Sequence, residues 1–335
     1  MRSKLNRVWA AGSPGPGESA RATPTGRPVT LVLSLVTVLS WGVWIPLAQV
    51  VPGVPQRSRT LYATVGNVVL ATVALVVGGG QVSFGWKEFW LPLAGGVVWT
   101  GGNYSAFRAS ETIGLARAAG SWTPLNIMVA FAWGALLFGE LDSFSAARFA
   151  LLGGALALVL VGVLLIVRSQ DRGSEPGTAV PAAPAPSGTV AAARYRTGLL
   201  WAAAAGVLWG TYFVPAQWAK VPAEVGNFPL AIGILLGGLA LALPAREPVR
   251  LSLRVSAVQV GAGALFGIGN LTLLALVARV GTGVGFTIAQ LSLLVNASIG
   301  IWVFKVPKPG SRAARAALAG IVAAGVGGGI IGAMR

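Results

Sequence analysis

Residues 41–49 read WGVWIPLAQ, and residues 209–217 read WGTYFVPAQ. Both begin Trp-Gly, carry an aromatic residue in fourth place and close on Ala-Gln, with a proline one step apart. The offset between them is 168 residues. Further along, WTGGN ending at Asn103 matches FGIGN ending at Asn270, at an offset of 167. Then ALLF ending at Phe138 lies opposite IWVF ending at Phe304, at an offset of 166. Landmarks that keep their order while the offset drifts by one residue at a time indicate one unit present twice.

Composition says what kind of unit it is. Of 335 residues, 55% are hydrophobic and only 10% are charged, with a mean hydropathy of +0.74. A soluble domain needs roughly a quarter of its residues charged, so the chain is an integral membrane protein. The 47 glycines suit close helix approach in lipid. With no Cys and no His, disulfides, thiolate chemistry, Cys/His metal sites and His proton relays are excluded. No cofactor is implied. The net charge of +16 does not point to nucleic acid, because the basic residues are scattered among short connectors and the tail. Flanking charge of this kind sets topology and meets anionic lipid.

A membrane span needs about 20 apolar residues. Ten are predicted, at 30–48, 60–79, 89–108, 115–138, 148–167, 197–216, 227–244, 255–277, 282–304 and 314–332. The expected fold is an all-α polytopic membrane protein with ten transmembrane helices. The predicted organisation is a disordered basic tail at 1–29 and a first five-helix repeat at 30–167. A Pro/Ala-rich linker without a fold of its own follows at 168–196, then a second five-helix repeat at 197–335. The tail lacks the cleavage pattern of a signal peptide. Five spans per unit is an odd number, so the second unit starts from the opposite face and the repeats are inverted. Both termini then share one side. Five Lys/Arg in the tail argue for a cytoplasmic start. The short connectors argue the other way, and orientation stays open.

Every acid lies at a span end or in a connector, and no span centre holds a charge. A charge there costs at least ~2.5–3.5 kcal/mol and marks function. Its absence favours an uncharged cargo and argues against a mid-membrane carboxylate proton carrier. The polar groups inside spans are neutral: Gln49 and its repeat counterpart Gln217, Asn103 and its counterpart Asn270, Gln290 and Asn296 in span nine, and Asn126 in span four. Amides offer donors and an acceptor, which suits sugar hydroxyls, though interhelical hydrogen bonding uses the same groups. Trp41, Tyr104, Trp122, Trp209 and Tyr212 add flat rings on which the apolar faces of a pyranose can pack. Trp86 and Trp90 read instead as interfacial anchors. Pro46 and Pro215 are placed to kink the first span of each unit. Arg108, Glu111 and Arg117 cluster between spans three and four, as loop charges or as gate or coupling residues. Glu140 reads as a helix-end residue.

The Trp209–Gln217 segment, the Gly-Asn segments at 99–103 and 266–270, and AQLSLLVNASIGIWVFK at 289–305 together resemble the drug/metabolite transporter superfamily. The likeness covers about 30–332 and is nearest the branch of glucose/ribose porters and rhamnose-proton symporters. It implies ten spans from an inverted five-span repeat, sugar transport with a question of proton coupling, and a pocket among spans of both halves. That pocket would include Trp41, Asn103, Trp209, Gln217, Asn270, Gln290 and Asn296. The sequence departs from the symporters where Gln49-Val50 and Gln217-Trp218 stand in place of a lysine pair. The expected function is secondary transport of a neutral hydroxylated solute, a monosaccharide, by alternating access across the plasma (inner) membrane. The alternatives are a drug/metabolite or amino-acid exporter and, from another class, a membrane-embedded enzyme or scaffold. An enzyme would want a nucleophile or acid/base pair converging in the bundle, and neither His, Cys nor a buried carboxylate is available for it.

Overall fold

In a computed structural model the residues described are 26–78, 84–113, 115–142, 144–173, 189–242, 250–305 and 307–334. Among them the chain is all-helical. The segments are α1 (Gly26–Gln49), α2 (Gln56–Val77), α3 (Trp86–Ile113), α4 (Leu115–Leu136), α5 (Ala146–Gly173) and α6 (Thr189–Trp209). They continue as α7 (Val214–Trp218), α8 (Ala223–Ala242), α9 (Leu253–Val280), α10 (Thr282–Gln290), α11 (Ser292–Trp302) and α12 (Arg312–Ala333). Helix is the form the chemistry demands, because backbone groups facing lipid must be satisfied within their own segment. Among the described residues eight helices, with α6–α7 and α10–α11 each counted as one, are long and apolar enough to cross a membrane.

The pairing is dense between distant parts of the chain. Helix α9 packs on α1 and α2, α3 packs on α6 and α8, α2 lies against α8, and α5 lies against α12. Helix α4 touches both α6 and α10, while α1 touches α10 and α11. Glycine makes the tightest of these crossings. A β-carbon at Gly66 would lie 1.9 Å from the Val260 carbonyl oxygen, and one at Gly233 would lie 2.1 Å from that of Leu93. Hydroxyls tie the same crossings: Thr37 Oγ1 donates to Thr272 Oγ1 at 2.8 Å, and Thr100 Oγ1 to the Ile234 carbonyl at 3.2 Å.

Four expectations shift. Helix α1 starts at Gly26, inside the stretch read as tail, and residues 1–25 lie outside the described part. Helices α5 and α6 reach into the stretch read as linker, to Gly173 and from Thr189. The first span of each unit is not kinked alike. Pro46 sits inside a continuous α1, whereas the chain breaks between α6 and α7 and Pro215 falls at the start of α7, where its missing N–H leaves no bond unmade. The Val214 N–H turns back to the Thr211 carbonyl at 2.9 Å to close the break. Finally, span nine is two segments. At Leu291 the backbone tightens, with its N–H bonded to the Ile288 carbonyl at 3.0 Å. A tight step within a helix is a common hinge position.

Candidate functional site

Rings from six helices, and from the break between α6 and α7, converge inside the bundle. Phe266 of α9 is the hub, with Trp41 stacked at 6.2 Å, Trp44 at 5.0 Å and Trp99 at 4.9 Å between centroids. Trp41 also meets the edge of Phe286 in α10 at 6.4 Å, and Phe286 stacks on Phe213 at 4.9 Å. Trp209 joins through Trp99 at 6.5 Å and takes the edge of Trp122 at 5.6 Å. The two repeat-equivalent tryptophans each press on a glycine. A β-carbon at Gly269 would lie 2.2 Å from Trp41 Cδ1, and one at Gly102 would lie 2.6 Å from Trp209 Cδ1. The glycines therefore create the slots in which the indoles lie.

Polar atoms are set among these rings. Tyr212 Oη donates to Asn270 Oδ1 at 3.2 Å, with both residues buried. Trp209 Nε1 donates to the Trp99 carbonyl at 3.2 Å, and Trp133 Nε1 to Thr211 Oγ1 at 2.9 Å. Several buried atoms have no hydrogen-bond partner among the described residues: the donors Trp41 Nε1 and Asn270 Nδ2, and the acceptors Asn126 Oδ1 and Gln217 Oε1. Native structures pair nearly all such groups, so unpaired ones beside an aromatic cluster are groups that a hydroxylated molecule could satisfy. Flat rings plus amide and indole groups make a surface suited to a neutral polyol.

The candidate residues divide. Trp41, Trp122, Trp209, Tyr212 and Asn270 come together as described, and Asn103 and Asn126 are buried on α3 and α4 beside them. Gln290 and Asn296 are half-buried on either side of the step at Leu291. Two residues fall elsewhere. Gln49 is exposed at the end of α1, unlike its counterpart Gln217, because the chain continues differently after the two equivalent segments. Tyr104 is 38% exposed and meets the edge of Trp201 at 5.8 Å; one residue along a helix from buried Asn103, it points about 100° away. Arg108 is exposed, and the side chains of Glu111 and Arg117 lie outside the described residues. Trp86 and Trp90 are exposed, as interfacial anchors would be.

The rings of Phe266, Phe286, Phe213 and Trp99 are missing from the candidate list, and so are the buried amides Asn67, Asn227 and Gln259. Gln259 Nε2 caps the last turn of α1 through the Ala48 carbonyl at 3.0 Å. The Gly-Asn motif at 266–270 does contain Phe266, and its pairing with Trp99 in the matching motif was the available signal.

Fold and site together describe a multi-pass helical membrane protein with a buried aromatic and amide centre. The family model described as "Sugar transport protein" matches residues 32–334, and the chain belongs to that family. It is a sugar transporter of the plasma membrane. A Lactiplantibacillus plantarum protein named for ribose uptake, RbsU, is 26% identical over 278 residues, 81% of this chain and 88% of the relative. The Bacillus subtilis glucose uptake protein GlcU is 23% identical over 278 residues, 83% of this chain and 89% of the relative. One crystal structure superposes with a TM-score of 0.64 over 90% of this chain and 97% of that one, at 21% identity, a likeness of fold.

Proposed function

We propose that the chain carries a monosaccharide by alternating access between two inverted five-helix repeats, 30–167 and 197–335, with α3 and α4 completing ten crossings. The aromatic and amide centre is the sugar site. The observation that carries the reading is the reciprocity of the glycine contacts. Gly66 on Val260 is answered by Gly233 on Leu93, and Gly96 on Leu230 by Gly263 on Ala63. Each contact maps onto its partner by the same 167-residue offset, with the two helices exchanging roles. The Trp41–Gly269 and Trp209–Gly102 slots are related in the same way. Repeats packed so put residues from both halves around one central point, which is where rocking transporters bind cargo.

The sugar lies with its apolar faces against the rings. Its hydroxyls bond Trp41 Nε1, the Tyr212–Asn270 pair and Asn126, and Gln217, Gln290 and Asn296 contribute as the hinge at Leu291 moves. No catalysis is needed for this cycle. Proton coupling is weak or absent, since the span centres offer no titratable group of ordinary pKa near neutral pH. Uptake into proteoliposomes from a panel of labelled sugars, ribose and glucose included, with and without a pH gradient, tests the reading. Saturable uptake of at least one monosaccharide is expected. Transport of amino acids or drugs in place of every sugar would favour the exporter alternative.

A further inference from the structure

Glu140 stands in the connector after α4, and it does more than end a helix. Its carboxylate accepts the backbone N–H of Thr282 through Oε1 and that of Gly283, at 3.2 Å, through Oε2. These are the first N–H groups of α10, which have no partner inside their own helix and form its positive end. The local chain is shaped for this reach. Gly139 takes a left-handed φ of +61°, a conformation glycine adopts without strain, and the Glu140 N–H folds back onto the Gly134 carbonyl at 3.0 Å. Gly134 itself makes the seat, since a β-carbon there would lie 2.7 Å from Glu140 Oε2 and 3.2 Å from the Gly283 nitrogen. Helix α10, held at this end, carries Phe286 of the aromatic centre and terminates at Gln290.

The tie is one-sided. By the repeat offset of 166, Gly139 corresponds to Lys305, and the two share the same turn, with φ of +61° and +59°. Glu140 then corresponds to Val306, which has no carboxylate to offer the start of α4.

We propose that Glu140 is a latch on one gate: its carboxylate ties the end of span four to the start of span nine, and that end of the bundle opens only when the tie releases. The inference rests on the alternating-access reading, and its test does not depend on the cargo. Hydrogen bonds to an ionised acceptor are about twice as strong as neutral ones, so losing the ionised carboxylate shifts the gate equilibrium by roughly tenfold, which corresponds to about 1.4 kcal/mol.

The chain has no cysteine, so Ala289→Cys, at a buried position of the aromatic centre, is a clean reporter. Its labelling by a membrane-impermeant maleimide is measured in right-side-out and in inverted vesicles. Two variants release the latch independently: Glu140→Gln weakens the acceptor, and Gly134→Ala displaces the carboxylate while its new methyl meets chiefly the flexible end of a side chain. Both are expected to speed labelling about tenfold from one membrane face alone, and to lower net transport while sugar binding is retained. Should Glu140→Gln fail to reach the membrane, Gly134→Ala decides. Unchanged labelling from both faces, even with transport reduced, would overturn the latch, as would equal acceleration from both sides.

Discussion

Alanine at Gly66 should destabilise the protein, although glycine to alanine inside a helix is ordinarily favourable. The new β-carbon would lie 1.9 Å from the Val260 carbonyl oxygen and 2.9 Å from the Ala264 nitrogen, both backbone atoms that cannot rotate away. Ordinary contact begins near 3.4 Å, so α2 and α9 must separate by about 1.5 Å along that line, which loosens the packing of the crossing. Overpacking of this kind costs about 1–3 kcal/mol. The control is Gly154→Ala in α5, where nothing lies within 4 Å and the helix gains up to about 1 kcal/mol from alanine. The propensity gain is common to both variants, so they should differ by the overpacking cost, about 1–3 kcal/mol in stability. Heating the detergent-purified variants and following the monodisperse peak by size exclusion reads the order. Gly233→Ala, the related position, should fall with Gly66→Ala. If Gly66→Ala melted with or above Gly154→Ala, the close crossing of α2 and α9, and with it the reciprocal packing, would be wrong.

Three further outcomes follow from the site. Tyr212→Phe removes the donor to Asn270 Oδ1 and with it a hydroxyl proposed to meet the sugar; one hydrogen bond lost to the bound sugar costs about 0.5–1.5 kcal/mol, so half-saturation for sugar should rise by roughly two- to tenfold, and unchanged affinity would remove the pair from the site. Gln290→Leu and Asn296→Leu should each cut transport with little effect on yield, and normal transport by both would return them to a packing role. Sugar-induced alkalinisation of weakly buffered vesicles should be weak or absent; a robust signal lost in Glu111→Gln would make Glu111 the proton carrier.

Membrane class and helical content were legible in the sequence, because each is carried by local composition. The landmarks at the 166–168 offset also pointed to Trp41, Trp209 and Asn270, which the structure brings into or beside one aromatic centre. What the linear pattern left undecided was direction around each helix. In a water-soluble helix an apolar stripe marks the inward face, but these spans are apolar all round, and lipid is as good a home for leucine as the core is. Hence Tyr104 was indistinguishable from Asn103 and Gln49 from Gln217 until the helices were paired. The rings of the aromatic centre come from six helices and the break between α6 and α7, and no single local signal marks such a meeting. Glu140 shows the limit most clearly. As a sequence letter it ends a helix; only the crossing of α4 with α10 brings its carboxylate to unpaired N–H groups 142 residues away, and only the glycines at 134 and 139 leave it room to reach them.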